Sequence, residues 1–297
     1  MMGRELASIR VREKVETPVS AARTRSFAEG RPPLSLSART VASSPRASIW
    51  APLETELDTW AQAGQVARFW WRDDDATAPS APLDRLLQLA GDLPLALAVI
   101  PEAATDALAH RLAQEDNVTV LQHGIAHINH AAPPGKKAEL GSDRPPALLA
   151  TALKSGRERL EALFGRRFRP VLVPPWNRIA ADLVPLLSAA GFVGLSTAGA
   201  RPKAEAAPGL RQVNTHLDPI DWHGTRRCRP TADLVVEAAR RLADRRLGAV
   251  DAAEPVGFLT HHRLDDPTTE RFAADLAALV AAHPAAAWVS ARELWPA

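Results

Sequence analysis

The sequence predicts an α/β protein, a single distorted (β/α) barrel of about seven parallel strands occupying residues 50–297. Three observations predict it. Short apolar runs alternate with longer Ala/Leu-rich amphipathic stretches, the pattern of βα units around a parallel sheet. About seven such units in roughly 240 residues match the size of one barrel. Unusual polar clusters follow the expected strands directly, as they do where carboxyl ends of parallel strands converge on one face. An open doubly wound sheet is the competing topology, and the pattern alone does not choose between them.

Strands are expected where apolar runs are short: Val66–Trp71, Leu95–Ile100, Val118–Gln122, Pro170–Pro174, Val193–Ser196, Arg211–Val213, Val256–Thr260 and Ala287–Val289. Helices are expected where Ala/Leu-rich stretches run on: Leu53–Ala63, Pro82–Ala90, Ala103–Gln114, Pro146–Leu163, Ala180–Ala190, Thr231–Leu247 and Thr268–Ala281. The Gly, Pro, Lys and Arg of Ala131–Pro146 and Thr197–Gly209 mark long loops on the barrel rather than linkers.

Composition narrows the function. Apolar residues make up 46% and charged residues 24%, so a full core can be buried. No apolar run has the eighteen or so residues of a membrane span, and no membrane partner is expected. A single cysteine, Cys228, excludes an intramolecular disulfide and any multi-cysteine metal site. The net charge of +2 hides an asymmetry: residues 1–49 carry nine Lys/Arg against four Asp/Glu, leaving 27 basic and 30 acidic residues for the rest. Those leader cations are scattered in a Ser/Ala/Pro-rich stretch, and the chain has no tyrosine, so no nucleic-acid partner is expected. The leader has no apolar stretch of signal-peptide length. It is expected to be a disordered basic extension, with the protein in the cytoplasm.

Four polar clusters carry the chemistry. Trp70-Trp71 runs into Arg72-Asp73-Asp74-Asp75, and Val118–Gln122 into His123 and His127. Val171–Val173 runs into Pro174-Pro175-Trp176-Asn177-Arg178, and Phe258–Thr260 into His261-His262. Each has a plainer explanation alone: an acidic run is usually a solvated turn, and a lone H-x-x-x-H usually coincidence. Together, in order and each at a strand end, they favour one shared cleft. Two imidazoles and a carboxylate suit Zn²⁺ or a similar divalent ion with positions left open. His123 and His127, at i and i+4, can face one centre from a helical turn.

The ordered set resembles the polysaccharide deacetylase family, the NodB-homology or family 4 carbohydrate esterase group. The matching residues are Asp74-Asp75, His123-x-x-x-His127, Val173-Pro-Pro175-Trp176, Asp218-x-x-Asp221-Trp222 and Leu259-Thr-His261. The resemblance spans about residues 66–290 and implies a distorted (β/α) barrel that removes acetyl groups. It implies Asp75, His123 and His127 as ligands of a divalent metal, Zn²⁺ first and Co²⁺, Ni²⁺ or Mn²⁺ otherwise. It further implies Asp74 as general base, His261 as general acid with His262 in reserve, and the Trp176 N–H directed at the oxyanion. Asp221 or Asp218 would orient His261. The extra Asp73 leaves a second register open, with Asp73 as base and Asp74 as ligand. Ala76, where the family usually has Gly, favours the first.

Two departures mark a divergent branch. Val173 stands where the family has an Arg tethering the base, with Arg72 or Arg178 as a substitute. The following aromatic is Trp rather than Tyr, which leaves a backbone donor intact. The expected partner is a carbohydrate or an acetylated small molecule. A variant amidase on a non-polymer substrate and a non-catalytic sugar-binding barrel are the alternatives.

Overall fold

The computed structural model describes residues 48–296. The expected leader, residues 1–49, lies outside them except for Ser48 and Ile49.

From Ala51 onward the chain alternates helix and strand. In order come α1 (Ala51–Gln62), β1 (Ala67–Ala76), α2 (Ala81–Ala90), β2 (Leu95–Val99), α3 (Asp106–Leu112), β3 (Val118–His123), α4 (Pro146–Phe164) and β4 (Phe168–Val173). Then follow β5 (Gly194–Leu195), β6 (Glu205–Ala207), β7 (Leu210–Gln212), α5 (Thr231–Arg246), β8 (Val256–Thr260), α6 (Pro267–Ala282), β9 (Ala286–Trp288) and α7 (Ala291–Leu294). The strands pair in the order β6-β7-β5-β4-β3-β2-β1-β8, with β9 also on β1, and every pair but β6–β7 is parallel.

The ring is completed beyond β7. The extended stretch after it donates from Val213 N to Leu195 O and from Thr215 N to Thr197 O, still following β5. It then changes partner: His216 N and Leu217 N donate to Gly257 O, and Leu259 N donates to Leu217 O. Leu217 thus bridges Phe258 in parallel. Seven parallel strands (β1–β5, β7 and β8) make a distorted barrel joined by this short seam. The close approach requires Gly257, because a Cβ there would meet Asn214 O at 2.5 Å and Trp70 Nε1 at 2.6 Å.

Strand alternation sorts the core into layers. Trp70, Ala96, Ala98, Leu121, Val171, Val173 and Val213 form the interior. Small Ala residues on β2 make room for the Trp70 indole, which meets Trp295 edge-on at 5.5 Å. Trp295 follows α7 and stops the end of the barrel where the strands begin. Residues such as Phe69, Trp71, Leu95, Leu97, Val118 and Val120 face outward and pack under α1, α2, α5 and α6. No described helix is long and apolar enough to cross a membrane.

Several elements differ from the sequence expectation, among them the antiparallel β6, which lies inside the stretch Thr197–Gly209 expected as a loop. Strand β1 continues through the acidic triplet to Ala76 instead of stopping at Trp71. The stretch expected as helix Ala180–Ala190 holds only a 3₁₀ turn at Val184–Leu186 among other turns; Pro185 removes an N–H and crowds the preceding turn. The expected Ala103–Gln114 helix divides into a 3₁₀ turn at Pro101–Ala103 and α3. Helix α7 was not expected, although Ser290 and Glu293 form a complete capping box.

Candidate metal centre and active site

The acidic triplet is divided by strand geometry. Asp73 faces outward with Trp71, Asp74 faces inward with Trp70 and Arg72, and Asp75 would by alternation turn outward again. It does not, because Asp75 has a left-handed φ of 73° and the β1–β2 register shifts between Asp73 and Ala76. That kink brings the Asp75 carboxylate into the cleft. Its Oδ1 lies 3.1 Å from His123 Nε2 and 3.3 Å from His127 Nε2.

The two histidines do not share a helical turn. His123 ends β3, and the chain then bends through Gly124 (φ 58°) to His127 (φ 59°) in an irregular loop. Their rings are 5.2 Å apart. His123 Nδ1 donates to Val173 O over 3.0 Å, which orients the ring with Nε2 toward Asp75.

One donor atom from each of Asp75, His123 and His127 lies within 4.8 Å of the others. Ligands about 2.1 Å from a tetrahedral ion sit roughly 3.4 Å apart. The observed 3.1 and 3.3 Å separations match that spacing, so these side chains fit a small divalent cation. Burial raises the cost of ionising Asp75, yet the His123 hydrogen bond and the neighbouring imidazoles hold its carboxyl well below the usual range. Burial likewise opposes protonation of His123, but the charges of Asp74 and Asp75 outweigh it and shift that imidazole upward. His127 is shifted down by burial and by His123.

The loop is shaped by a residue that the sequence did not single out. Buried Glu139 accepts N–H groups from Ile125 (2.9 Å), Ala126 (2.8 Å) and Ile128 (3.2 Å). Gly124 makes this possible: a Cβ there would stand 2.1 Å from Glu139 Oε2. Glu139 lies at the end of a Pro/Gly/Lys loop, with no local pattern to mark it.

Asp74 is paired with Arg72. The guanidinium Nε lies 2.9 Å from Asp74 Oδ1 and Nη2 donates to Oδ2 over 3.0 Å, both side chains being buried. Arg72 also donates to Ser196 Oγ and Asn177 Oδ1. It thereby supplies the tether that Val173 cannot. Arg178 instead lies at the cleft's edge, with Nη1 on Lys137 O. The Nε–H is not aligned on Asp74 Oδ1, so that oxygen accepts no hydrogen bond.

Asp73 is elsewhere. Its Oδ2 accepts from Thr260 Oγ1 and His262 N, and its Oδ1 lies 2.5 Å from His262 Nδ1. This buried pair sits under α2 and α6, so Asp73 is not beside the Asp75 cluster and His262 is no spare for His261.

His261 lines the same cavity as Asp74, Asp75, His123, His127, Trp176 and Asp218. Its Nδ1 is buried without a partner among the described residues. Of the two carboxylates expected to orient it, neither hydrogen-bonds His261 among the described residues. Asp221 caps its own turn, accepting from Gly224 N and Thr225 N, and does not reach His261. Asp218 is linked to His261 only through Trp222: its Oδ2 accepts from Trp222 Nε1 over 2.7 Å, and the Trp222 ring meets His261 edge-on at 4.8 Å. Burial raises the Asp218 carboxyl despite the nearby His261.

Trp176 also has a left-handed φ, 55°. Its ring lies 4.4 Å from that of His127, and its N–H donates to no acceptor among the described residues. A backbone donor is therefore available at the wall of the cavity.

No family model and no curated protein sequence matches the chain. Solved structures do. A protein from Mycobacterium smegmatis assigned as a polysaccharide deacetylase is 17% identical with a TM-score of 0.57, over 77% of this chain and 88% of that one. A family 4 carbohydrate esterase pseudoenzyme from Bacillus anthracis is 14% identical with a TM-score of 0.50, over 77% and 66% of the two chains. A mutant of that pseudoenzyme with restored activity gives 15% and 0.50, over 78% and 68%. The likeness establishes the fold, which hosts both active and inactive members.

Proposed function

We propose that this chain, which has the polysaccharide deacetylase fold, is a divalent-metal hydrolase removing an acetyl group, N- or O-linked, from a carbohydrate or related substrate. The observation that carries the reading is the convergence of Asp75, His123 and His127 beside an Arg-tethered Asp74, at one end of the barrel.

Asp75 Oδ1, His123 Nε2 and His127 Nε2 would hold the cation, with Zn²⁺ the best match to two imidazoles and a carboxylate. When bound, such an ion polarises an acyl oxygen and lowers the pKa of water to about 7. Asp74 takes the proton of the attacking water, its carboxylate held in place by Arg72. The Trp176 N–H donates to the developing oxyanion, a contribution of roughly 2.7–4 kcal/mol for one such donor. His261 protonates the departing amine, a step that matters more for an amide than an ester. Asp218, with Trp222, keeps that imidazole in place.

Metal analysis of the purified chain, run beside acetate release from acetylated sugars and small acetamides, tests the reading. One equivalent of metal and metal-dependent acetate release are expected, both lost in His123→Ala. Full turnover in His123→Ala after chelation would overturn the ligand set. Sugar binding with metal bound and no acetate released would select the non-catalytic alternative, which the pseudoenzyme among the structural neighbours keeps in view. Turnover of small acetamides without oligosaccharides would select the small-molecule amidase.

A further inference from the structure

The cavity above the proposed metal centre has a volume of about 500 Å³, and its charge changes sign from floor to lip. The carboxylates at the floor are all engaged. Asp74 is paired with Arg72, Asp75 faces two imidazoles, and Asp218 accepts from Trp222 Nε1 and Ile220 N. The lip carries Lys137, Arg178 and Arg226. None of these three lies within 4 Å of a carboxylate among the described residues, where many other arginines are paired.

Each lip cation keeps donors free. Arg178 spends Nη1 on Lys137 O, leaving the rest of its fork unused. Arg226 lies 5.3 Å over the Trp222 ring and donates its backbone N–H to Asp221 O, with a left-handed φ of 58° that carries the side chain over that indole. Residues 50–297 are net acidic, so the cationic lip does not follow from average composition. Guanidinium groups lining a cleft are suited to a planar or tetrahedral oxyanion, and a charged rim also steers such a ligand from solution.

We propose that the substrate is an acetylated sugar bearing an anionic substituent, a carboxylate or a phosphate, gripped at the lip by Arg178 and Arg226 with Lys137. This rests on the reading of the site as an acetyl hydrolase. It adds a specificity that the metal centre itself does not require.

Three probes test it on the metal-loaded chain: N-acetylglucosamine, its 6-phosphate, and N-acetylmuramic acid, whose substituent is a carboxylate. Binding is measured by calorimetry and acetate release is followed in parallel. At least one anionic probe is expected to bind tenfold or more tighter than the neutral sugar. The gap should shrink between 50 and 500 mM NaCl and fall toward unity in Arg178→Ala and in Arg226→Ala. Phosphate and carboxylate are told apart by which probe shows the gap. Equal affinity for all three, no binding of any, or a gap indifferent to salt and to both substitutions would overturn the proposal. An anionic preference without acetate release would refute the hydrolase reading and leave the charged lip standing, whereas acetate release without preference would do the reverse.

Discussion

Arg72 grips Asp74 from two residues earlier on the same face of β1, so one strand supplies both the candidate base and its tether. The arrangement needs no partner from another strand to hold the charge, which is why Val173 is tolerated at the end of β4. Ser196 and Asn177 then fix the guanidinium from across the barrel.

Removing the tether should be costly. Arg72→Met leaves a buried carboxylate uncompensated and is expected to lower stability by about 3–5 kcal/mol, read by urea unfolding. Adding Asp74→Asn should restore a large part of that loss, since the pair is then removed together. A single substitution costing under about 1 kcal/mol would contradict the burial of this pair.

Glu139 should set metal affinity without touching metal. In Glu139→Gln the amide nitrogen cannot accept an N–H, so at least one of the Ile125, Ala126 and Ile128 donors loses its partner. Zn²⁺ affinity, measured by competition with a chelating dye, is expected to fall 10–100-fold. Unchanged affinity would show that the His127 loop holds its shape unaided.

Asp265 gives a pH signature. Burial, with the Asp73 charge behind it, pushes its carboxyl up to about 7, and its Oδ1 lacks a partner. The folded chain therefore holds a proton that the unfolded chain has released across the interval from the usual carboxylate pKa to about 7. The Asp265 contribution to stability must fall as pH rises through that window. Asp265→Asn should flatten this part of the wild-type stability profile and raise the melting temperature at pH 8. Parallel profiles for the two proteins would refute the assignment.

Gly257→Ala probes the barrel's joint. A methyl group there has no room against Asn214 O and Trp70 Nε1, and overpacking of this kind typically costs about 1–3 kcal/mol. Guanidinium unfolding of the variant measures it, and a neutral result would mean that the seam is looser than its hydrogen bonds suggest.

Much of this molecule was legible before folding, for reasons that differ by element. The apolar runs of β2, β3 and β8 are buried on both faces, so their strands stand out as uninterrupted hydrophobic segments. The end of β1 did not, because Arg72-Asp73-Asp74 looks like a solvated turn until each side chain finds a buried partner. The division of labour among Asp73, Asp74 and Asp75 depends on a backbone kink that residue types do not encode. Pro185 in the stretch after β4 was a readable warning against a helix there. Asp218 and Asp221 are equivalent on paper, and only the turn at Gly224 separates their roles. Glu139 was invisible because its partners are backbone amides more than ten residues away.

The Leu217–Phe258 bridge binds together two stretches that go on to line the cavity with Asp218 and His261. A thermal fluctuation that unzips this stitch would separate the proposed proton donor, His261, from Asp218 while the remaining strands stay paired. Warming should therefore abolish the proposed acetate release before the fold melts, with inactivation curves running several degrees ahead of the calorimetric transition.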